Sequence, residues 1–488
     1  MIMKKIISLF LLLVISLNAQ TNIKLQKQIE EYSNQDNMQS AVWSVYAKYV
    51  DDKKPLITLN SNKALAPASG LKIITSGVGL ELLGKDYRFF TRIFYDGKLE
   101  DGILNGDIYF VGGGDPTFGS SRVEGSSDLD QLSNEIYSSF KKLNIKIING
   151  NIYADALKYS DNAIPNNWYW IDIGNYYGTS NTALSLNDNL YELYFKPGKA
   201  KGDIAEVLRT EPAIPNLTFT NYMKTGAKGS GDNGYIFSAP NLFNAVLRGT
   251  VPAGVDEFSI KGSIPNPPLF AAQFLLRILN ENGIKVNGTA KILETPKSYS
   301  LEKMIFEKAS PTLDKIVYII NKKSFNFYTE MLLKEIGFVI KGEGTTEAGI
   351  EVVSKFLKEK NISTKGLNLF DGSGLSRSNA ITTVTFVQFL DYMYNSKSFI
   401  PFYNSLGITG DSEDIAAFGN YGKGTSLEKN GRVKSGFIGG VRSHQGYVKD
   451  KEGRTISFSF IANNYEGSSS AVSKIHEKIM IELAELKK

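Results

Sequence analysis

Residues 64–84 read ALAPASGLKIITSGVGLELLG, and this stretch decides the fold. Hydrophobic residues recur through it at helical spacing, at Leu71, Ile74, Val78 and Leu82. The pattern predicts a helix that begins near Ser69, behind a turn that contains Pro67. Ser69 and Lys72 form an S-x-x-K motif, which places both side chains on one face at the start of the helix. A lysine beside a serine hydroxyl can take its proton, so Ser69 is a candidate nucleophile that needs no histidine.

The S-x-x-K pattern is weak by itself, because about four matches are expected by chance in a chain this rich in Ser and Lys. The sequence holds five, and the other four begin at Ser138, Ser139, Ser300 and Ser426. Only Ser69 opens an apolar helix after a proline-containing turn, which favours it as the nucleophile. An N-cap serine is the alternative interpretation.

Two further motifs follow in the order that this chemistry requires. Ser324-Phe325-Asn326 lies between two helical patterns, in a loop where a hydroxyl and a carboxamide can reach a cleft. Lys434-Ser435-Gly436 lies in a predicted strand, where the glycine lets a ligand approach the backbone closely. S-x-x-K, S-x-N and K-[ST]-G in this order form the active-site set of penicillin-recognising serine enzymes. A literal K-T-G at 224–226 precedes Ser324 in the chain and is typical of a turn.

Composition narrows the choice of chemistry. The 488 residues include no Cys and two His, His444 and His476. The lack of Cys excludes disulfide scaffolds, thiolate zinc sites, iron–sulfur clusters and cysteine proteases. A Ser-His-Asp triad would have to use one of the two histidines, and neither lies in a favourable sequence context. The net charge of +5 predicts no strong affinity for nucleic acid.

The N-terminus predicts export. Lys4 and Lys5 precede the apolar run 6–17, and Ala19 provides a small residue near the expected cleavage site. A run of about 12 apolar residues is too short to cross a hydrocarbon layer of about 30 Å comfortably, so we predict a cleaved signal peptide over residues 1–20. No later segment of the sequence is apolar for long enough to predict a membrane span. We expect the mature protein in the periplasm or cell envelope.

Strand and helix patterns predict an α+β fold. Strand patterns lie at 41–60 as a hairpin and at 431–435, 440–449 and 455–463 near the end of the chain. Helical patterns occupy 269–282, 313–321, 327–336, 346–358, 383–394 and 469–486. Between Tyr87 and Pro252, short strands separated by Gly, Asn and Asp predict a mostly β module that contains one helix, 129–143. We therefore predict one sheet built from both chain ends, in a main domain of residues 21–86 and 262–488, with an inserted module of residues 87–261.

With these motifs in place, the sequence resembles the class C low-molecular-mass penicillin-binding proteins, a family of D-alanyl-D-alanine carboxypeptidases and endopeptidases. The resemblance spans nearly the whole mature chain. Beyond the three motifs it includes residues 112–117, 168–170, 172, 177–178, 183–187 and 371–376. It implies an antiparallel transpeptidase domain of the penicillin-binding and β-lactamase type, carrying a large mostly β insertion. The long gap between Lys72 and Ser324 sets the chain apart from the β-lactamases.

The resemblance implies a role for each residue of the first two motifs. Ser69 would attack the carbonyl between two D-alanines to form an acyl-enzyme, with Lys72 as general base. Ser324 would relay the proton to the leaving amine, and Asn326 would hold a peptide carbonyl of the substrate. The expected enzyme uses no cofactor and no metal. Its expected partners are peptidoglycan stem peptides as substrates and β-lactams as inhibitors.

The resemblance also assigns the third motif to substrate binding. Lys434 and Ser435 would bind the terminal carboxylate of the leaving residue. The backbone N–H groups of Ser69 and Phe437, the residue after Gly436, would form the oxyanion hole. Ser435 stands where the family most often has Thr, and because the hydroxyl is kept we expect activity to be retained.

One residue of the inserted module has two interpretations. Asp155 resembles an acidic residue that in relatives contacts the amino end of the stem-peptide diamino acid. An Asp that ends a strand and makes a turn is the alternative.

Two other functions use the same fold. One is a β-lactamase, which the long insertion argues against. The other is a non-catalytic envelope protein that binds penicillin or wall fragments, which the three intact motifs argue against. The sequence predicts a D-alanyl-D-alanine carboxypeptidase with DD-endopeptidase activity ahead of both.

Overall fold

The computed structural model describes residues 23–160 and 162–487. The signal peptide predicted over residues 1–20 lies outside the described residues. The helices are α1 (23–33), α2 (Lys72–Leu83), α3 (Leu129–Lys142), α4 (Trp170–Ile173), α5 (Pro267–Glu281), α6 (Leu313–Lys322), α7 (Asn326–Lys341), α8 (Thr346–Glu359), α9 (Thr383–Tyr394), α10 (Phe399–Ser405) and α11 (Ser469–Ala484). None of the helices within these two ranges is long and apolar enough to cross a membrane.

The strands fall into two groups along the chain. The first two are β1 (Val42–Tyr49) and β2 (Ile57–Leu59), and the last four are β19 (Gly407–Ile408), β20 (Arg432–Ile438), β21 (Val441–Lys449) and β22 (Thr455–Asn463). Between them lie β3 (Phe90–Tyr95), β4 (Lys98–Glu100), β5 (Ile103–Asn105), β6 (Ile108–Val111), β7 (Ile147–Ile148), β8 (Ile152–Asp155), β9 (Leu190–Lys196), β10 (Glu206–Glu211), β11 (Thr218–Asn221), β12 (Lys224–Thr225), β13 (Asn233–Phe237), β14 (Asn244–Val251), β15 (Phe258–Ser263), β16 (Lys285–Val286), β17 (Ala290–Ile292) and β18 (Met304–Ala309).

The chain forms two compact units. The first unit contains the described residues up to Lys85, together with Val317–Phe325 and residues from Ile350 onward. The second unit contains Asp86–Ile316 and Asn326–Gly349. The module predicted over residues 87–261 lies inside the second unit, and its status as a domain of its own stays a prediction.

A six-stranded antiparallel sheet organises the first unit. Its strand order is β19–β20–β21–β22–β1–β2, so β1 near the start of the chain pairs with β22 near its end. The register aligns Val45 with Phe460. Alternate residues of β1 point to one face, where Trp43, Val45 and Ala47 pack in a core that also contains residues of α1 and α11. The prediction of one sheet built from both chain ends is confirmed.

Small β-sheets dominate the second unit. They contain β10–β9–β15, β11–β14–β12 with β13 beside β14, β16–β7–β5–β4, and β17–β8–β6–β3–β18. The sheets of this unit include strands after residue 261: β16 pairs in parallel with β7, and β17 pairs in parallel with β8. Helix α5 lies between β15 and β16 in the chain and buries Phe270, Phe274 and Leu275 in the core of this unit. Residues 262–316 therefore complete sheets that begin in the predicted insertion.

Candidate active site

The S-x-x-K motif lies at the junction between a turn and a helix. Ser69 belongs to a 3₁₀ turn, Ala68–Leu71, and α2 begins at Lys72, slightly later than predicted. The side chain of Lys72 is fully buried. Its Nζ donates hydrogen bonds to Ser69 Oγ at 2.9 Å and to the carbonyl oxygen of Ser373 at 2.7 Å. The lysine is therefore held where it can exchange a proton with the serine hydroxyl.

The loop 371–376 supplies the carbonyl that holds this lysine. The Asp371 carboxylate accepts hydrogen bonds from the backbone N–H groups of Gly374, at 2.8 Å, and Ser376, at 2.6 Å. Thr75, on the first turns of α2, donates its hydroxyl to the Gly372 carbonyl at 2.8 Å. The sequence identifies 371–376 only as a block shared with the family and assigns no role to Ser373, because a backbone carbonyl leaves no side-chain signal.

Ser324 lies just after the end of α6 with its backbone in the left-handed region, at φ 58°. The N–H of Phe325 donates to the carbonyl of Ile320 at 3.2 Å, which closes the helix end around Ser324. Glycine is the usual residue at this position of a helix C-terminus. The hydroxyl Oγ of Ser324 accepts a hydrogen bond from Lys434 Nζ at 2.8 Å. The structure thus joins the second and third motifs directly.

The K-S-G motif lies in β20, as predicted. Lys434 is 2% exposed, and its Nζ also donates to the carbonyl of Ser435 at 2.6 Å. Burial holds the pKa of Lys434 well below its ordinary value of 10.5, and the positive charges of Lys72 and Arg442 lower it further. Lys72 and Arg442 therefore lie close enough to Lys434 for their charges to affect its pKa.

Gly436 is required by the packing of the protein itself. A Cβ at this position would lie 2.4 Å from the carbonyl oxygen of Pro67, 2.4 Å from Ser443 Oγ and 2.7 Å from the N atom of Gly70. Strand β20 therefore packs directly against the turn that carries Ser69, with no room for a side chain. The sequence predicted that a ligand approaches the backbone at Gly436, whereas in the structure the group that fills this space is the turn that carries Ser69.

Phe437 presents its backbone to the open edge of β20. Ile438 pairs with Val441 across a two-residue turn, so these two residues form a hydrogen-bonded pair of the antiparallel ladder. Because hydrogen-bonded and non-bonded pairs alternate, the N–H of Phe437 points away from β21. Strand β19 covers this edge only at Arg432 and Val433. Phe437 is 54% exposed.

The remaining two candidate residues lie in the second unit. Asn326 begins α7, is 9% exposed and donates from Nδ2 to the carbonyl of Tyr177 at 2.8 Å. Asp155 ends β8 and is 7% exposed. Its Oδ1 accepts the N–H of Leu157 at 3.0 Å, and its Oδ2 accepts the hydroxyl of Tyr299 at 2.7 Å. Asp155 therefore makes the turn that was its alternative interpretation.

The two histidines are hydrogen-bonded to each other. His444 on β21 and His476 on α11 are fully buried, and their Nδ1 atoms lie 2.9 Å apart. Trp43 donates from Nε1 to Nε2 of His476 at 3.0 Å. Burial holds the pKa of His444 well below 6.5 and lowers that of His476 to about 3, so both rings are neutral at pH 7. The base that contacts Ser69 is Lys72.

Comparison with known proteins assigns the chain to a family. The D-Ala-D-Ala carboxypeptidase 3 (S13) family matches residues 25–486. The chain belongs to this family. It is therefore a serine-type D-alanyl-D-alanine carboxypeptidase, and the predicted family and enzyme class are confirmed.

Individual relatives cover most of this carboxypeptidase. The D-alanyl-D-alanine carboxypeptidase of Actinomadura sp. (strain R39) is 27% identical over 472 residues, which are 95% of this chain and 85% of the relative. The crystal structure of penicillin-binding protein 4 (dacB) from Haemophilus influenzae matches with a TM-score of 0.78 at 22% identity, over 92% of this chain and 97% of that one. The same protein complexed with a novel β-lactam matches with a TM-score of 0.73 at 21% identity, over the same shares. The likeness confirms the predicted α+β fold class.

Proposed function

We propose that this carboxypeptidase is exported and hydrolyses peptidoglycan stem peptides that end in D-Ala-D-Ala, through an acyl-enzyme on Ser69. The observation that carries the proposal is the pair of contacts from Lys72 Nζ to Ser69 Oγ and to the carbonyl of Ser373. These contacts support Lys72 as the base for a serine that has no histidine beside it.

In acylation, Lys72 takes the proton of Ser69 as the oxygen attacks the carbonyl between the two D-alanines. The oxyanion that forms is stabilised by the N–H groups of Ser69 and Phe437, each donor contributing about 3 kcal/mol to the lowering of the barrier. The open edge of β20 at Phe437 supports this placement. The C–N bond then breaks, which leaves an ester on Ser69.

The departing D-alanine needs a proton on its amine and a partner for its carboxylate. Ser324 relays the proton to the amine, and its hydrogen bond from Lys434 supports this role. Lys434 and Ser435 bind the carboxylate through a charge-assisted contact. Asn326 holds a peptide carbonyl of the substrate. Water then attacks the ester, which releases the shortened peptide and returns the proton to Ser69.

We include DD-endopeptidase activity on chemical grounds. Where the diamino acid of the stem peptide is diaminopimelate, a cross-link joins the carbonyl of D-Ala to an amine whose carbon also bears a carboxylate, as the terminal D-Ala does. Lys434 and Ser435 can therefore bind the carboxylate next to the scissile bond both in a terminal D-Ala-D-Ala and in a D-Ala cross-link. Asp155 is a further proposed contact, for the amino end of the stem-peptide diamino acid: each of its oxygens accepts one hydrogen bond within the protein and keeps a second acceptor position.

A β-lactam presents a strained amide in place of the D-Ala-D-Ala bond, so we expect it to acylate Ser69. The β-lactam complex of the related penicillin-binding protein 4 supports this expectation. Export is supported by the basic and apolar residues of the segment 1–20.

Intact-mass spectrometry tests the proposal. The protein and a Ser69→Ala variant are each exposed to penicillin and, separately, to a peptide that ends in D-Ala-D-Ala. We expect one penicillin adduct on the parent and none on the variant, together with release of D-Ala by the parent only. Penicillin that is hydrolysed without an accumulating adduct would indicate a β-lactamase. A stable adduct without peptide turnover would indicate a binding protein.

A further inference from the structure

Three consecutive side chains fix the end of α6 immediately before Ser324. Asn321 donates from Nδ2 to Ser76 Oγ at 3.0 Å and to Ser405 Oγ at 2.8 Å. Lys322 forms an ion pair with Asp414, with Nζ 2.8 Å from Oδ1 and 2.9 Å from Oδ2. Lys323 donates to the carbonyl of Ile415 at 2.7 Å. The strained backbone at Ser324 therefore follows three anchored residues.

The ion pair in this group is almost completely buried. The side chains of Lys322 and Asp414 are 1% and 2% exposed. Burial lowers the pKa of Lys322, and the hydrogen bond and charge of Asp414 oppose that shift. A buried pair is costly to desolvate and often adds little stability over an apolar pair of similar volume. The Lys322–Asp414 pair is therefore better explained by the arrangement of chain segments that it fixes than by the stability that it adds.

Asp414 also contacts the strand next to the K-S-G motif. Its Oδ2 accepts the N–H of Ile408 at 2.6 Å. Ile408 belongs to β19 and pairs with Arg432 of β20, two residues before Lys434. Lys434 in turn donates to Ser324, which follows Lys322 in the chain. The contacts therefore close a ring that runs from Lys322 through Asp414, β19 and β20 back to Ser324. One carboxylate thus fixes the distance between the S-x-N loop and the K-S-G strand.

We infer that Asp414, through its ion pair with Lys322, is a positioning residue that sets the hydrogen bond between Ser324 and Lys434. The inference rests on the proposed function, because it concerns the proton relay and carboxylate contact of that mechanism. Loss of the pair allows the loop and the strand to shift relative to each other. A shift of about 1 Å at reacting groups costs about a hundredfold in rate. The effect falls on acylation more than on binding.

The test removes both charges together. In the double variant Lys322→Met/Asp414→Asn no unpaired charge is buried, and the oxygen of the introduced carboxamide still accepts the N–H of Ile408. We expect the rate of Ser69 acylation by penicillin and kcat for D-Ala release to fall 10- to 100-fold, with KM changed less than threefold. The control variant is Lys48→Met/Asp391→Asn, which removes another largely buried ion pair of the first unit. We expect it to acylate at the parent rate.

A double-mutant cycle separates positioning from general loosening. In a Ser324→Ala background the hydroxyl that the pair positions is gone, so removal of the pair should slow the residual acylation by less than threefold. The same 10- to 100-fold loss in that background would overturn the inference, as would a pair variant that acylates like the parent. If the pair variant does not fold, Asp414→Glu keeps the charge with a longer side chain. It should also lower kcat at nearly constant KM, and parent kinetics in that variant would overturn the inference.

The proposed function can fail independently. A parent that forms no adduct on Ser69 overturns the proposed function and this inference together. A parent that is acylated at Ser69, with a pair variant equal to it, overturns only the role of Asp414.

Discussion

At the scale of single residues, Ser324 is placed against the preference of its own backbone. A left-handed conformation costs an L-residue about 1–2 kcal/mol relative to its favoured regions, and glycine avoids this cost. Strain of this kind persists where the side chain is needed and the surrounding structure enforces it. Here the hydroxyl receives the hydrogen bond of Lys434, and the closed end of α6 enforces the backbone.

This strain predicts an order of stability among variants. Ser324→Ala and Ser324→Gly both lose the hydroxyl, so their difference isolates the backbone. We expect the glycine variant to have a free energy of unfolding about 1 kcal/mol higher than the alanine variant, and both to be acylated by penicillin far more slowly than the parent. Urea unfolding measures the first effect and adduct formation the second. A glycine variant no more stable than the alanine variant would contradict the assignment of strain.

The residues that the sequence predicts at the site are those whose side chains carry the chemistry at fixed spacing. Ser69, Lys72, Ser324 and Lys434 fall into this group, and the structure joins them by hydrogen bonds in two pairs. The carbonyl of Ser373 and the carboxylate of Asp414 do not belong to the residues that the sequence predicts at the site. Their partners lie far away in the sequence, and nothing in the residue type distinguishes them from other loop residues. Their roles depend on tertiary structure alone.

At the scale of elements, periodicity predicts the long helices well and the short elements poorly. Helix α9 has the predicted bounds, Thr383–Tyr394. Helix α10 has no predicted counterpart, because Pro401 interrupts its short pattern. The proline lies in the first turn, where its missing N–H has no partner within the helix anyway. Strands of two residues, such as Lys285–Val286, are too short to show a period.

The paired histidines connect three elements and make the connection sensitive to pH. Trp43 on β1 donates to Nε2 of His476, so neutral His476 carries its proton on Nδ1 and donates to His444 Nδ1. His444 then carries its proton on Nε2, which lies 3.3 Å from the hydroxyl of Tyr421. Arg442, on the same strand, adds positive charge near both rings, and Lys434 adds charge near His444. A second proton on either ring therefore removes a hydrogen-bond acceptor from the series that runs from Trp43 through His476 to His444.

The sign of the pH effect follows from the lowered pKa values. Between about pH 6.5, where an exposed histidine titrates, and about 3, the unfolded chain binds protons that the folded one does not. The free energy of unfolding therefore decreases as the pH falls, by about 2 kcal/mol for His476 from pH 7 to 5, and the lowered pKa of His444 acts in the same direction. Urea unfolding at pH 7, 6 and 5 measures this slope. A His476→Gln variant, which keeps an acceptor for Trp43 but does not titrate, should show a shallower slope, and an equal slope would refute the assignment.

At the scale of the whole molecule, the topology makes the first unit depend on both chain ends. Strand patterns near each end predict the shared sheet, because those strands are long and alternate clearly. The extent of the second unit is not predicted, because it depends on distant pairings of short strands, such as Ala290 with Ile152. Nearly the whole chain separates Val45 from its partner Phe460. The second unit contains no residue before Asp86 or after Gly349.

This difference predicts the order in which the two units refold. Closing a long loop costs more entropy than closing a short one, and distant pairings slow folding, so the first unit should form later. The three tryptophans report separately, because Trp43 lies in the first unit and Trp168 and Trp170 in the second. In refolding from urea, we expect fluorescence of a Trp43→Phe variant to recover before that of a Trp168→Phe/Trp170→Phe variant. Recovery of penicillin acylation at Ser69 should follow the slower signal, since every residue of the Ser69, Lys72 and Lys434 network lies in the first unit. Simultaneous recovery of both signals would show that the pairing of β1 with β22 does not limit folding.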